Sequence, residues 1–245
     1  MAIADTAPLS FLNRSASLEL LDNPTSPPDD IRHSLNFMTG INRFFGGTRA
    51  VLDYFERERL NGEVRVVDLG CGSGDIPHAL VNWGMKRGLK IRVAALDINP
   101  VCLEYARRRY ASPSIEFLNH SAFEFEKLGT FDYAVSSMFF HHLDDERIVW
   151  MFKKMAGHCR KGFVVNDLYR CRPGYWGAAL LGSFSGKYMV YHDAKLSVAR
   201  AFREEDGTRY SLESGVNLRV ERRPSFRLRM SWSRRDGHDT EGGKR

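Results

Sequence analysis

One stretch constrains the fold of this chain more than any other: Val64-Arg65-Val66-Val67-Asp68-Leu69-Gly70-Cys71-Gly72-Ser73-Gly74-Asp75. It opens with a short β-branched apolar run, the pattern of a buried strand. It then breaks into alternating glycines. Beyond them Ile76, Leu80 and Trp83 recur at i, i+4 and i+7, one face of a helix. Strand, glycine turn and helix together make the ligand-binding edge of a doubly wound parallel sheet. Glycine is required where the backbone turns sharply and a ligand must approach it without meeting a Cβ.

The spacing of the glycines narrows the ligand. A dinucleotide fingerprint is G-x-G-x-x-G, with a pyrophosphate lying on the helix N-terminus. Here Gly70, Gly72 and Gly74 are spaced two and two, and Asp75 follows at once. A carboxylate there repels pyrophosphate and suits an ammonium group. Asp97 closes a second apolar run, Ile91–Leu96, about twenty residues further on, where an acidic residue takes the hydroxyls of a ribose. A glycine-lined backbone, an ammonium partner and a ribose acceptor describe S-adenosylmethionine.

In Val67–Asp75, in Leu96-Asp97-Ile98-Asn99-Pro100 and in Phe131-Asp132-Tyr133-Ala134-Val135-Ser136-Ser137 the sequence resembles the class I S-adenosylmethionine-dependent methyltransferases, from about Asn42 to about Val220. The resemblance implies an α/β fold: a doubly wound, mostly parallel seven-stranded Rossmann-like sheet. It implies S-adenosylmethionine as cofactor, held by Asp68, Gly70, Cys71, Gly72, Gly74, Asp75 and Asp97 with Ser137 and Met138 at the end of the fourth strand. In such enzymes a helix before the first strand closes over the cofactor, which would bring Arg43 to the methionine carboxylate. The family usually accepts the adenine amino group with an aspartate just before an alanine. Here Ser121 precedes Ala122, so the adenine site is expected to use Ser121, Ala122 and a stacking Ile98.

Composition agrees with a globular chain carrying some decoration: 245 residues, 43% hydrophobic and 27% charged. No apolar run approaches the ~20 residues of a membrane span, and Met1–Asp30 lacks a basic region followed by an apolar core. Cys71, Cys102, Cys159 and Cys171 show neither paired nor metal-ligand spacing, so no metal site and a reducing cytoplasm are expected. The net charge of +6 owes several arginines to the C-terminal region, Arg219 to Arg235, which read as a solvated edge and tail rather than a nucleic-acid footprint.

The expected organisation is an N-terminal helical cap over residues 1–60, a cofactor-binding catalytic domain over 61–232 and a disordered tail over 233–245. Asn23–Asp30 is turn-rich and cannot be one helix. Val51, Tyr54 and Phe55 mark a helix stopping near Asn61-Gly62. Asn99 caps a helix with Pro100 at its first position, and Asp144 or Asp145 caps another carrying Ile148, Met151, Phe152 and Met155. Strands are expected at 114–118, 131–138 and 163–167, a last helix at 203–215, and a terminal hairpin from 217–222 and 226–232. Residues 168–202 form an insert rich in aromatics (Tyr169, Tyr175, Trp176, Phe184, Tyr188, Tyr191), and an insert there would wall the acceptor pocket with at least two of them facing substrate.

Methyl transfer to oxygen needs a group that removes a proton near neutral pH. The candidates are His141 and His142 after the fourth strand, His192 in the insert, and Tyr169 as an orienting hydroxyl. Base methylation in nucleic acid is disfavoured by Ser136-Ser137-Met138-Phe139, which lacks an acidic-or-Asn, Pro, Pro, aromatic signature. Metal-assisted catechol methylation is disfavoured because only Asp167 is available. The Phe139–Leu143 stretch is similar to the menaquinone and ubiquinone methyltransferases, and Asn166-Asp167-Leu168-Tyr169-Arg170 to methyltransferases of bacterial polyketide pathways. The expected reaction is O-methylation of a phenolic or polyketide secondary metabolite, with ring C-methylation as the alternative, on an aromatic or apolar acceptor. Oligomeric state is not legible.

Overall fold

A computed structural model describes residues 11–23 and 25–234. The order of elements is α1 (Pro28–Phe44), α2 (Gly47–Phe55), β1 (Glu63–Leu69), α3 (Asp75–Met85), β2 (Lys90–Asp97), α4 (Pro100–Tyr110), β3 (Ile115–Asn119), β4 (Phe131–Ser137), α5 (Asp145–His158), β5 (Cys159–Leu168), α6 (Arg172–Ser183), α7 (Tyr188–Arg200), α8 (Glu204–Ser214), β6 (Arg219–Arg223) and β7 (Arg227–Ser233), with short 3₁₀ turns between. The strands form one seven-stranded sheet in the order β3-β2-β1-β4-β5-β7-β6. All neighbours from β3 to β5 are parallel; β7 runs antiparallel to β5 and to β6. This is the seven-stranded class I methyltransferase arrangement.

Side-chain alternation explains the layers. Along β1, Val64 and Val66 point into one core and Val67 and Leu69 into the other. The first core packs α2, α3 and α4 through Phe55, Ile76, Leu80, Trp83 and Leu103; the second packs α5 and α8 through Ile148, Phe152 and Tyr210. Caps fall where the side chains supply them. Asn99 Oδ1 accepts from Val101 N at 3.0 Å, and Asp144 Oδ1 accepts from Arg147 N at 2.8 Å.

Several boundaries differ from expectation. α2 ends at Phe55, well before Gly62, which instead takes a positive φ just ahead of β1. The turn-rich connector stops at Pro27, because Pro28 is tolerated in the first turn and Asp29 and Asp30 favour a helix N-terminus. Ser233 is the last residue of β7, paired with Gly162, and Arg234 N donates to Lys161 O, so the ordered chain extends past the expected start of the tail. Residues 235–245 of that tail lie outside the described residues. The N-terminal segment is strapped down: Arg14 binds Asp145, Tyr210 and the carbonyls of His141, Leu143 and Arg200. Among the described residues no helix is long and apolar enough to cross a membrane.

Candidate active site

The parallel strands end on one side of the sheet, and the turn after β1 lies there. Gly70 has φ +73°, and a Cβ on it would sit 2.6 Å from the ring of Phe139. Gly72, at φ +48°, faces open space, with Leu35 of α1 the nearest atom to a hypothetical Cβ at 3.9 Å. The cradle is therefore bare backbone, open to a ligand beneath α1. Gly74 serves packing instead: a Cβ there would meet Ala106 and Phe117 at 2.9 Å. Cys71 is buried, a small filler whose N–H donates to Leu96 O.

Three carboxylates surround the cradle. Asp97 accepts from Gly72 N at 2.9 Å and Asn99 N at 2.8 Å, which fixes it while leaving lone pairs for a ribose. Asp75 accepts from Ser73 Oγ at 2.7 Å, but among the described residues its buried Oδ2 has no partner within hydrogen-bonding geometry. Asp68 is buried and its Oδ1 is also unpartnered. Burial first, then repulsion from Asp75 and Asp97, pushes the Asp68 carboxyl well above its usual range. Burial also raises Asp75 and Asp97 against their hydrogen bonds. Orphaned acceptor oxygens beside mutually repelling carboxylates fit a cationic group, and the ammonium of S-adenosylmethionine suits them.

Ser121 Oγ accepts from Phe123 N at 3.2 Å and starts a 3₁₀ turn with Ala122 buried in it, while Ile98 stands 74% exposed beside Asp97, open for a ring to stack on. Ser137 Oγ accepts from Asn166 Nδ2 at 3.0 Å. Met138 has φ +59°, an uncommon backbone for methionine, and its N–H donates to Asn166 O.

Next to this cradle lies an apolar cavity of about 320 Å³ between α1, α6 and α7, walled by side chains such as Phe37, Ile41, Met138, Leu181, Val190 and Phe226. Its polar end collects Glu19, His141, His142, Asp193 and Arg227. His141 is buried between Asp167 (Nδ1 to Oδ1, 2.7 Å) and Glu19 (Nε2 to Oε1, 3.3 Å). Burial opposes its charge, yet these carboxylates raise it to about 10. Burial likewise opposes ionisation of Glu19, and the two histidines lower it to about 2. His142 Nδ1 lies 2.8 Å from Asp22.

Other expected residues are not brought here. Arg43 projects to solvent over the ring of Phe44, because the adjacent Asn42 takes the inward face of α1 and one helical residue is a 100° turn. The inward cation is Arg227, fully buried, donating to Asn42 Oδ1 at 3.2 Å and lying 2.7 Å from Met138 Sδ. Burial, opposed by Asp167 and Asp75, lowers it to about 10. Tyr169 points away from the cavity into the core, its hydroxyl donating to Glu204, since its neighbour Leu168 takes the cavity face of β5. His192 sits off the lining face of α7, which carries Val190, Asp193, Ala194, Ser197 and Val198 at helical spacing. None of the insert's aromatics lines the cavity. Trp176, Phe184 and Tyr188 are 68–78% exposed, and the insert contributes small and aliphatic residues instead.

Glu19 and Arg227 were not singled out by sequence reasoning, and Asp193 stood out only as the neighbour of His192 in the insert. The one signal for Arg227 was its place in the arginine-rich C-terminal stretch, where Arg227 and Arg229 prove to be buried.

Residues 66–162 match the family described as a methyltransferase domain. The match spans about two fifths of the chain. The chain is 30% identical over 95 residues to the malonyl-acyl-carrier-protein O-methyltransferase of Acetivibrio thermocellus, covering 39% of this chain and 31% of that protein. The chain thus matches less than a third of the length of this curated relative. In fold the chain is similar to human N-acetylserotonin methyltransferase in complex with SAM (TM-score 0.61, 15% identity, 85% of this chain and 56% of that one). It is also similar to a SAM-dependent methyltransferase from Aquifex aeolicus (TM-score 0.56, 16% identity, 85% of this chain and 99% of that one).

Proposed function

We propose that this chain transfers the methyl group of S-adenosylmethionine to a hydroxyl of a small, mostly apolar acceptor. The observation that carries the reading is the mostly apolar cavity beside the glycine cradle, with a polar cluster of His141, His142, Glu19 and Asp193 in its lining. A pocket of this kind orients one polar group of a flat or aliphatic molecule. Gly70, Gly72, Asp75 and Asp97 hold the cofactor, with Asp68 behind them and Ser121, Ala122 and Ile98 around the adenine.

The chemistry is in-line displacement. The acceptor oxygen forms a bond to the methyl carbon as the carbon–sulfur bond breaks. Sulfur keeps the electron pair, leaving S-adenosylhomocysteine, and the hydroxyl proton passes to the His142 imidazole, which lines the cavity. Positioning supplies most of the acceleration. A phenolic or polyketide metabolite fits the cavity's chemistry, and a cytoplasmic place fits its four free cysteines. The test is calorimetric titration with S-adenosylhomocysteine, with NAD as control, followed by a methyl-transfer screen over phenolic, polyketide and quinone acceptors. Micromolar binding of S-adenosylhomocysteine alone and methyl transfer to oxygen are expected; NAD binding or methylation solely at carbon overturns the reading.

A further inference from the structure

We propose that Glu19, His141 and His142 bind a divalent first-row transition ion at the polar end of the acceptor cavity. One ligand atom from each of the three lies within 4.8 Å of the others. Glu19 Oε1 is 3.3 Å from His141 Nε2, and Glu19 Oε2 is 3.9 Å from His142 Nε2. Ligands about 2.0–2.2 Å from one ion lie about 3 Å or more apart, so the three atoms need little adjustment to share one. The imidazole rings lie 4.2 Å apart and 34° from parallel, presenting both Nε2 atoms toward Glu19.

The surroundings of the three groups are those of a ligand set. Metal-binding histidines are oriented by a carboxylate on the other ring nitrogen. Here Asp167 takes His141 Nδ1 at 2.7 Å and Asp22 takes His142 Nδ1 at 2.8 Å, so both Nε2 atoms face Glu19, and His141 gives up its Nε2 proton when an ion binds. Ser197 Oγ donates to Glu19 Oε1 at 2.8 Å. Glu19 and His141 are 4% and 1% exposed, and Arg14 and Arg200 hold the His141 carbonyl, so the geometry is fixed before any ion enters. Two imidazoles and one carboxylate select a zinc-, iron- or manganese-type ion and leave positions open. All three residues line the cavity, so an open position faces the acceptor. This inference rests on the O-methylation reading and names its acceptor more closely: a molecule whose hydroxyl coordinates the ion, which lowers the hydroxyl's pKa and, with His142 taken by the ion, lets its proton leave to the carboxylate-lined end of the cavity instead.

The experiment uses the full chain with Zn(II) and Co(II) as probes, without acceptor. Expected are one ion per chain by elemental analysis after dialysis, micromolar calorimetric binding of Zn(II), and Co(II) absorption bands of a nitrogen–oxygen site. Glu19→Gln should abolish this, and Asp22→Asn should weaken it about 10–100-fold. Titration with S-adenosylhomocysteine on each variant serves as the folding control and separates the two proposals. Failure of wild-type protein to bind either ion, with S-adenosylhomocysteine still bound, overturns the metal site alone. Ion binding that survives unchanged in Glu19→Gln overturns it as well.

Discussion

The cofactor cradle and the acceptor cavity lie side by side under α1, yet they are built in opposite ways. The cradle is assembled from two short stretches, Asp68–Asp75 and Asp97–Asn99, each at the end of a strand and paired in register through β1 and β2. The cavity takes Glu19 from the N-terminal strap, Phe37 and Ile41 from α1, His141 from the turn after β4, Asp193 from α7 and Arg227 from β7. The first is backbone geometry that tolerates almost no change. The second is a set of side chains drawn from five separate elements, so single substitutions can change it while the cradle stays the same.

The largest effect should come from the cradle. Gly70→Ala meets Phe139 and a positive φ together, and is expected to cost about 2–4 kcal/mol of stability in chemical denaturation, with loss of S-adenosylhomocysteine binding. Wild-type stability in that variant would break the distinction between the two regions. A crossed pair sharpens it. Asp97→Ala should weaken S-adenosylhomocysteine by about 1.5–3 kcal/mol, roughly 10–100-fold in Kd. Ala178→Trp, on the cavity wall, should leave that Kd alone and raise the KM of whichever acceptor the methyl-transfer screen returns, by about 1–3 kcal/mol in binding. Both variants are read by calorimetry and by steady-state kinetics.

The smallest effect lies outside both regions. Burial opposes ionisation of Glu221, but Arg229 and Arg57 bring its carboxyl down to about 2 from an ordinary 4.5. Because the folded value is depressed, its contribution is complete above pH 4.5 and is lost as pH falls toward 2. Glu221→Gln should remove at most one proton's worth of slope from stability in that window, measured by denaturant unfolding at several acidic pH values. An unchanged slope would show that the Arg229 pair contributes nothing to acid stability.

Legibility in the sequence followed the same division. Leu80 and Trp83, Asn99 and Asp144 took the roles their spacing assigned, because helix periodicity and capping depend on near neighbours. The insert's aromatics were misjudged because Trp176 and Tyr188 satisfy an aromatic-rich pattern whichever way their helices face, and α6 and α7 turn Gly177, Ala178 and Val190 inward. Arg43 is exposed and Arg227 buried for the same reason: composition marks a cation, while helix phase and strand pairing decide which one is buried.

The sequence by itself determined the parallel sheet, the glycine turn and the place of Asp97 at the end of β2, since each is a matter of residues a few positions apart obeying backbone sterics and hydrophobic period. Only the tertiary structure decided that Glu19 meets His141 across more than a hundred residues, that Asp22 and Asp167 orient the two imidazoles, and that Asp193 closes the polar end. Such long-range polar contacts leave no periodic trace in the chain; they exist because the strap, the turn after β4 and α7 are each packed into place by other residues.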